Sequence, residues 1–116
     1  MTSSQETFAP LEQPLYEIKA DLFRGLAHPV RIRILELVTN AAETTVTELL
    51  AHTGLKGPNL SQHLAVLRNY GLVVTQRRAS HVYVSAAHPS VAGLLSAARS
   101  VLSDTLGSRA TMGEQQ

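Results

Sequence analysis

The spacing of apolar residues along the chain predicts three well-separated helices. Apolar side chains recur at intervals of three and four residues over Leu15–Leu26, over Pro29–Thr39 and over Ser90–Leu106. Pro29 suits the first position of the second helix, where its missing N–H is not needed. Together these segments predict a mainly helical protein.

A shorter helix is predicted after a turn over residues 40–45. Thr45 or Thr47 caps this helix, which runs to His52, and Glu48 stands three residues after Thr45. This spacing allows a capping box, in which the two side chains each accept a backbone hydrogen bond.

The next helix follows closely. Gly54 is placed to end the short helix, and Pro58 opens another that runs to Asn69. Leu60, Leu64 and Leu67 lie on one face of the predicted helix Pro58–Asn69. A short helix, a turn with glycine and a second helix indicate a helix-turn-helix.

A β-hairpin is predicted directly after these helices. Leu72–Gln76 and Val82–Ser85 have the composition of strands, and the polar segment Arg77–His81 is expected to form the turn. The order of elements is four helices, a hairpin and a last helix. It predicts a mainly α fold with a β-hairpin wing, the winged helix-turn-helix.

The domain organisation follows from the same pattern. Residues 1–14 are rich in polar residues and proline and are expected to form a flexible N-terminal tail. One winged helix-turn-helix domain is predicted over residues 15–107, followed by a flexible polar tail over residues 108–116.

Composition excludes several classes of protein. The chain has 116 residues, 44% of them hydrophobic and 16% charged, which fits one globular domain rather than a disordered chain. No apolar run is long enough for a membrane span, and no secretory signal is recognisable, so a cytoplasmic location is expected. Disulfides and thiolate metal sites are excluded because there is no cysteine. The sequence shows no nucleophile with a nearby base and no phosphate-binding glycine loop, so nothing in it indicates an enzyme.

The formal net charge of +1 conceals an uneven distribution. All the acidic residues lie before Leu49 or after Ser103, whereas five basic residues lie between these two positions. A basic region free of acids suits a polyanion such as DNA. A solvated basic surface would show the same distribution.

Candidate DNA contacts lie on the second helix of the helix-turn-helix and on the hairpin. The face of that helix opposite its leucines carries amide and hydroxyl groups that can bond base edges and phosphates in a major groove. Guanidinium groups on a hairpin suit phosphates or a narrow minor groove. The predicted DNA-binding residues are Lys56, Asn59, Ser61, Gln62, His63, Arg68, Arg77, Arg78 and His81.

Three segments resemble the ArsR/SmtB winged-helix repressors of bacteria. They are residues 26–35 (LAHPVRIRIL), 47–55 (TELLAHTGL) and, most specifically, 59–73 (NLSQHLAVLRNYGLV). The resemblance covers about residues 15–106. It implies a homodimer built from the first and last helices that binds double-stranded DNA at an inverted-repeat operator. Such proteins usually repress transcription until an effector, here unidentified, arrives.

The last helix carries an apolar stripe that independently favours dimerisation. The predicted interface residues are Leu15 and Phe23 of the first helix and Leu94, Leu95, Val101 and Leu102 of the last. The alternative is that this stripe only completes the core of one protomer.

No metal site is identified from the sequence. One metal site of the resembled family uses cysteines of the short third helix, and this helix has none here. The other uses an acidic residue two positions before a histidine near the last helix, but Ala86 stands two positions before His88, so neither site is present. No cofactor is identified, although a weak nickel or zinc site with nitrogen and oxygen ligands stays open. The effector could be a small molecule or an accessory protein. A non-specific architectural DNA-binding protein is the alternative function, although such proteins usually carry more positive charge.

Overall fold

The computed structural model describes residues 13–115. This part of the chain forms five helices and three strands. In chain order they are α1 (Leu15–Leu26), α2 (Pro29–Asn40), β1 (Thr44–Thr45), α3 (Val46–Thr53), α4 (Gly57–Asn69), β2 (Val73–Arg78), β3 (His81–Ala86) and α5 (Ser90–Gln115). The order confirms the predicted winged helix-turn-helix.

The three strands form one antiparallel sheet in the order β1-β3-β2. The sequence predicts a turn where β1 lies, and this prediction is wrong: Thr44 pairs with Val84, and Thr45 pairs with Tyr83. In β2 and β3 the register runs from Val73 opposite Ala86 to Arg78 opposite His81. A third strand therefore joins the base of the hairpin to the segment before α3.

The hairpin turn is shorter than predicted. Only Ala79 and Ser80 connect the strands, so Arg77, Arg78 and His81 lie in strands rather than in the turn. Ala79 has a φ of 55°, in the left-handed region that favours glycine at this position of a two-residue turn. The strands thus extend almost to the end of the hairpin.

The apolar stripes meet in one core. Leu60, Leu64 and Leu67 of α4 are buried, as predicted, against residues of every helix and of β2 and β3. The core consists of Leu26, Ile34, Leu35, Val38, Leu49, Leu60, Leu64, Leu67, Leu72, Val73, Val84 and Val91. Each helix buries one face, which is the arrangement expected for helices on the surface of a small domain.

Helix α5 differs from the prediction at its end. It continues through Gln115, so the range predicted as a polar tail, residues 108–116, is helical as far as it is described. Residues 1–12 of the predicted N-terminal tail lie outside the described residues. Among the helices described, none is both long enough and apolar enough to cross a membrane.

Candidate nucleic-acid interface

Helix α4 presents a polar surface because the leucines on its opposite face pack into the core. Leu60, Leu64 and Leu67 are buried, whereas Asn59, Ser61 and Gln62 are exposed. No acidic residue occurs in α4 or in its first turn. An exposed helix face with amide and hydroxyl groups and no negative charge can approach base edges in a major groove.

Helix α3, which precedes the turn to α4, is capped at both ends. The Thr45 side chain accepts a hydrogen bond from the Glu48 N–H at 3.1 Å, and the Glu48 carboxylate accepts one from the Thr45 N–H at 2.8 Å. This is the predicted capping box, and Thr45 rather than Thr47 is the cap. The hydrogen bonds from the Thr45 backbone and side chain hold the pKa of Glu48 below its usual value. Gly54 ends α3 with a φ of 71°, as predicted from its position.

Lys56 and Arg68 lie at the two ends of α4. Lys56 is the residue before its first turn and Arg68 is in its last turn, and both are exposed. Both cations are therefore accessible to phosphates beside the polar surface.

His63 lies apart from that surface. Its ring is half-buried and meets the ring of His28 edge-on, with 4.5 Å between centroids. Its Nδ1 atom is buried and finds no hydrogen-bond partner among the described residues. Burial, followed by the charges of His28 and Arg31, lowers the pKa of His63. His63 therefore packs against His28 at the start of α2, and its predicted DNA contact stays a prediction.

The two arginines of the wing point to opposite faces of the sheet. Neighbouring residues of a strand alternate between faces. Arg77 lies on the face of buried Val73 and Val84, where the helices pack, and Arg78 lies on the other face with Tyr83. Only one of the two arginines can therefore approach DNA on the helical side of the wing.

Arg78 is held by two neighbours. Its Nη2 atom donates a hydrogen bond to the Glu43 carboxylate, and its guanidinium lies over the Tyr83 ring, 3.7 Å from the centroid. The hydrogen bond to Glu43 is the main cause of the raised pKa of Arg78. Arg77 is exposed and makes no ion pair among the described side chains. His81 is also exposed, with its ring centroid 6.3 Å from that of Tyr83.

Glu43 was not anticipated from the sequence. It precedes β1 and is 35 residues before Arg78, so the contact depends on the pairing of β1 with β3. An arginine usually pairs with a nearby carboxylate, but the sequence does not show that Glu43 is near Arg78 unless strand β1 is known.

The predicted dimer residues fall into two groups. Leu94 and Leu95 are half-buried and pack against the core of the protomer. Those that stay exposed are Leu15 (63%), Phe23 (55%), Val101 (63%) and Leu102 (58%). On α5, Leu94 and Leu95 therefore belong to the core of the protomer, whereas Val101 and Leu102 form an exposed apolar surface.

The titratable side chains of the described residues do not gather into a metal site. Among the described residues, no three His, Cys, Asp or Glu side chains come together closely enough to hold an ion.

Comparison with protein families places these features in a known class. Residues 28–75, from the residue before α2 to the third residue of β2, match the model of the family described as bacterial regulatory protein, arsR family. The chain is 43% identical to an uncharacterized HTH-type transcriptional regulator of Mycobacterium tuberculosis, Rv0081, over 102 residues. That alignment covers 88% of this chain and 90% of the relative.

Other relatives agree. A biofilm growth-associated repressor of Agrobacterium fabrum is 36% identical over 104 residues, covering 78% of this chain and 88% of the repressor. The crystal structure of Mycobacterium tuberculosis Rv0081 superposes with a TM-score of 0.79 at 46% identity, covering 84% of this chain and 98% of that one.

A solution structure from Mycobacterium bovis is similar as well. It is described as a homodimeric winged helix-turn-helix DNA-binding domain of a possible ArsR-family transcriptional regulator, with a TM-score of 0.70 at 28% identity. The superposition covers 78% of this chain and 82% of that one. The present chain belongs to the arsR family of bacterial regulatory proteins and is a DNA-binding transcriptional regulator, not an enzyme.

Proposed function

We propose that the protein represses transcription by binding an inverted-repeat operator as a homodimer in the cytoplasm. The observation that carries this proposal is the exposed face of α4, where Asn59, Ser61 and Gln62 project from a helix fixed by three buried leucines. The relative from Agrobacterium fabrum, which is named a repressor, supports the direction of regulation.

Specific recognition would come from α4 in the major groove. The amides of Gln62 and Asn59 suit paired hydrogen bonds to adenine, whereas the Ser61 hydroxyl and the Lys56 ammonium suit phosphates. Arg68, at the far end of the helix, would bind the phosphate backbone. Base contacts from the amides would specify sequence, and the phosphate contacts would position the helix.

The wing would contribute a second point of contact. Arg77 has no competing carboxylate among the described side chains and faces the helical side of the sheet, so it would bind a phosphate or enter the minor groove. Arg78, held by Glu43 and Tyr83, would stiffen the wing instead of contacting DNA. His81 lies on the face of Arg78, so its predicted DNA contact would need the end of the hairpin to lie within the groove.

Dimerisation would give the operator its symmetry. The exposed apolar side chains of α1 and α5 would be buried against a second copy, at a gain of about 25 cal/mol per Å² of apolar surface. The homodimeric neighbour from Mycobacterium bovis supports this arrangement. Two α4 helices would then enter successive major grooves about 34 Å apart.

Nickel or zinc binding, and release by a small effector or an accessory protein, stay predictions. Because no three ligands gather within the described protomer, a nickel or zinc site would take histidine and carboxylate ligands from both subunits. Footprinting with and without added nickel or zinc would test for metal release: loss of protection supports a metal effector, and unchanged protection refutes it.

The proposal is tested by selection from a duplex library with a randomised core of about 30 base pairs. We expect enrichment of one inverted repeat with half-sites about one helical turn apart. The enriched duplex should also resist competition by non-cognate DNA at moderate salt. Selection of no common sequence, with equal competition by any DNA, would contradict the proposal and favour a non-specific architectural protein.

A further inference from the structure

Helix α1 is attached to its own protomer by its C-terminal half. Leu22 and Leu26 pack against the core and Gly25 is buried, whereas Leu15 and Phe23 are exposed. Within the protomer, α1 packs on α4. The helix proposed for dimerisation therefore rests on the helix proposed for DNA recognition.

The contact between the two helices depends on the absence of a side chain at Gly25. A Cβ atom at this position would lie 2.6–2.8 Å from three carbons of the Tyr70 ring, including Cγ at the root of the ring. Carbon atoms in contact are ordinarily about 3.5–4.0 Å apart. Tyr70 directly follows the last residue of α4, so the glycine lets α1 approach the end of α4 closely.

Two neighbouring contacts fasten the same junction. The Arg31 Nε atom of α2 donates a hydrogen bond to the Gly25 carbonyl at 2.6 Å, which satisfies a carbonyl at the end of α1. The His28 Nδ1 atom accepts a hydrogen bond from the Val30 N–H at 3.1 Å, and its ring packs on His63 of α4. The end of α1, the start of α2 and helix α4 are thus tied together.

We propose that the Gly25–Tyr70 contact sets the angle between α1 and α4 and thereby determines the spacing of half-sites that the dimer recognises. This inference rests on the proposed function, because it requires a dimer that uses α1 and a recognition helix in each major groove. Gly25 and Tyr70 are positioning residues: they contact no DNA themselves, but they fix where α4 lies relative to the two-fold axis.

The effect of a small displacement is large enough to change the spacing. Separating Gly25 from the ring by about 1 Å turns α1 by about 13° about Leu22, which lies about 4.5 Å away along the helix axis. This rotation moves Leu15, about 10 Å beyond the pivot, by about 2 Å. With both subunits contributing, a total of about 4 Å exceeds the rise of one base pair, about 3.4 Å.

The experiment repeats the library selection with full-length Gly25→Ala, which forces the helices apart, and Tyr70→Ala, which removes the ring. We expect both variants to remain folded dimers by circular dichroism and sedimentation velocity. Both should select the wild-type half-site sequence, with a spacing that is shifted or broadened by at least one base pair. Tyr70→Phe is the matched control: it keeps the ring and removes only the hydroxyl, so it should select the wild-type spacing.

The outcomes distinguish this inference from the proposed function. If either alanine variant is a folded dimer and still selects the single wild-type spacing, the junction does not determine spacing. A changed spacing in Tyr70→Phe would also overturn the inference, because the hydroxyl rather than the ring contact would be responsible. If the wild-type protein itself selects no paired half-sites, the proposed function fails and the inference fails with it.

Discussion

Replacing Arg77 with alanine tests whether the wing binds phosphate through one arginine or two. Arg77 is exposed on the helical side of the sheet, whereas Arg78 is paired with Glu43. Removing one arginine–phosphate interaction lowers the slope of log K against log salt by about 0.9. In a symmetric dimer the substitution removes two such interactions, so the slope should fall by about 1.8. Between about 50 and about 200 mM salt, the decrease in affinity should then be roughly 12-fold smaller for the variant than for the wild type.

The assay is fluorescence anisotropy on the duplex selected by the wild-type protein, titrated at several salt concentrations. The matched control is the double variant Arg78→Ala, Glu43→Gln, which removes one positive and one negative charge and so preserves the local net charge. We expect its salt slope to stay close to that of the wild type, with some decrease in affinity from a less rigid wing. An unchanged slope in Arg77→Ala, or an equal fall in the double variant, would refute this division of roles.

The remaining predictions concern association and stability. Leu102→Glu should give a folded monomer in sedimentation velocity, because Leu102 is 58% exposed in the protomer and a charge there would be buried in the dimer. The control Ser100→Glu, on the opposite side of α5, should stay dimeric. A dimeric Leu102→Glu would contradict the proposed interface. Leu95 is less suitable for this test because it also packs against the core. Burial lowers the pKa of His63, so the unfolded chain binds a proton below about pH 6.5 while the folded protein does not. The free energy of unfolding in urea should therefore fall as the pH drops from about 6.5 towards the lowered pKa of His63. His63→Leu should flatten this pH dependence, whereas the control His88→Gln should leave it unchanged. An equal fall in stability in His63→Leu would contradict the role of His63.

The helices could be predicted from the sequence because their signals are local. The leucine spacing of α4 and the Thr45–Glu48 capping box each lie within a few residues, and both appear in the structure as predicted. The strands are harder to predict from the sequence. Thr44 and Thr45 are too few to show alternation, and they form a strand only because Val84 and Tyr83 pair with them.

The misplaced hairpin turn has a related cause. Residues 77–81 are polar, as turns usually are, yet the ends of a hairpin that extends beyond the core are exposed on both faces and need no apolar alternation. Side-chain partners across long separations were also missed. Neither the Glu43–Arg78 pair nor the contact of Gly25 with Tyr70 can be inferred until the strands and helices are assembled.

Helix α4 is proposed to distinguish DNA sequences through Gln62, and a comparison of two variants on two duplexes tests this role. The Kd values of Gln62→Ala and of Asn69→Ala, at the far end of the same helix, are measured on the selected operator and on a randomised duplex. We expect Gln62→Ala to weaken binding to the operator by about 1–3 kcal/mol per half-site and to the randomised duplex only slightly, and Asn69→Ala to have little effect on either. An equal effect of Gln62→Ala on both duplexes, or no effect on the operator, would contradict the assignment of α4 as the recognition helix.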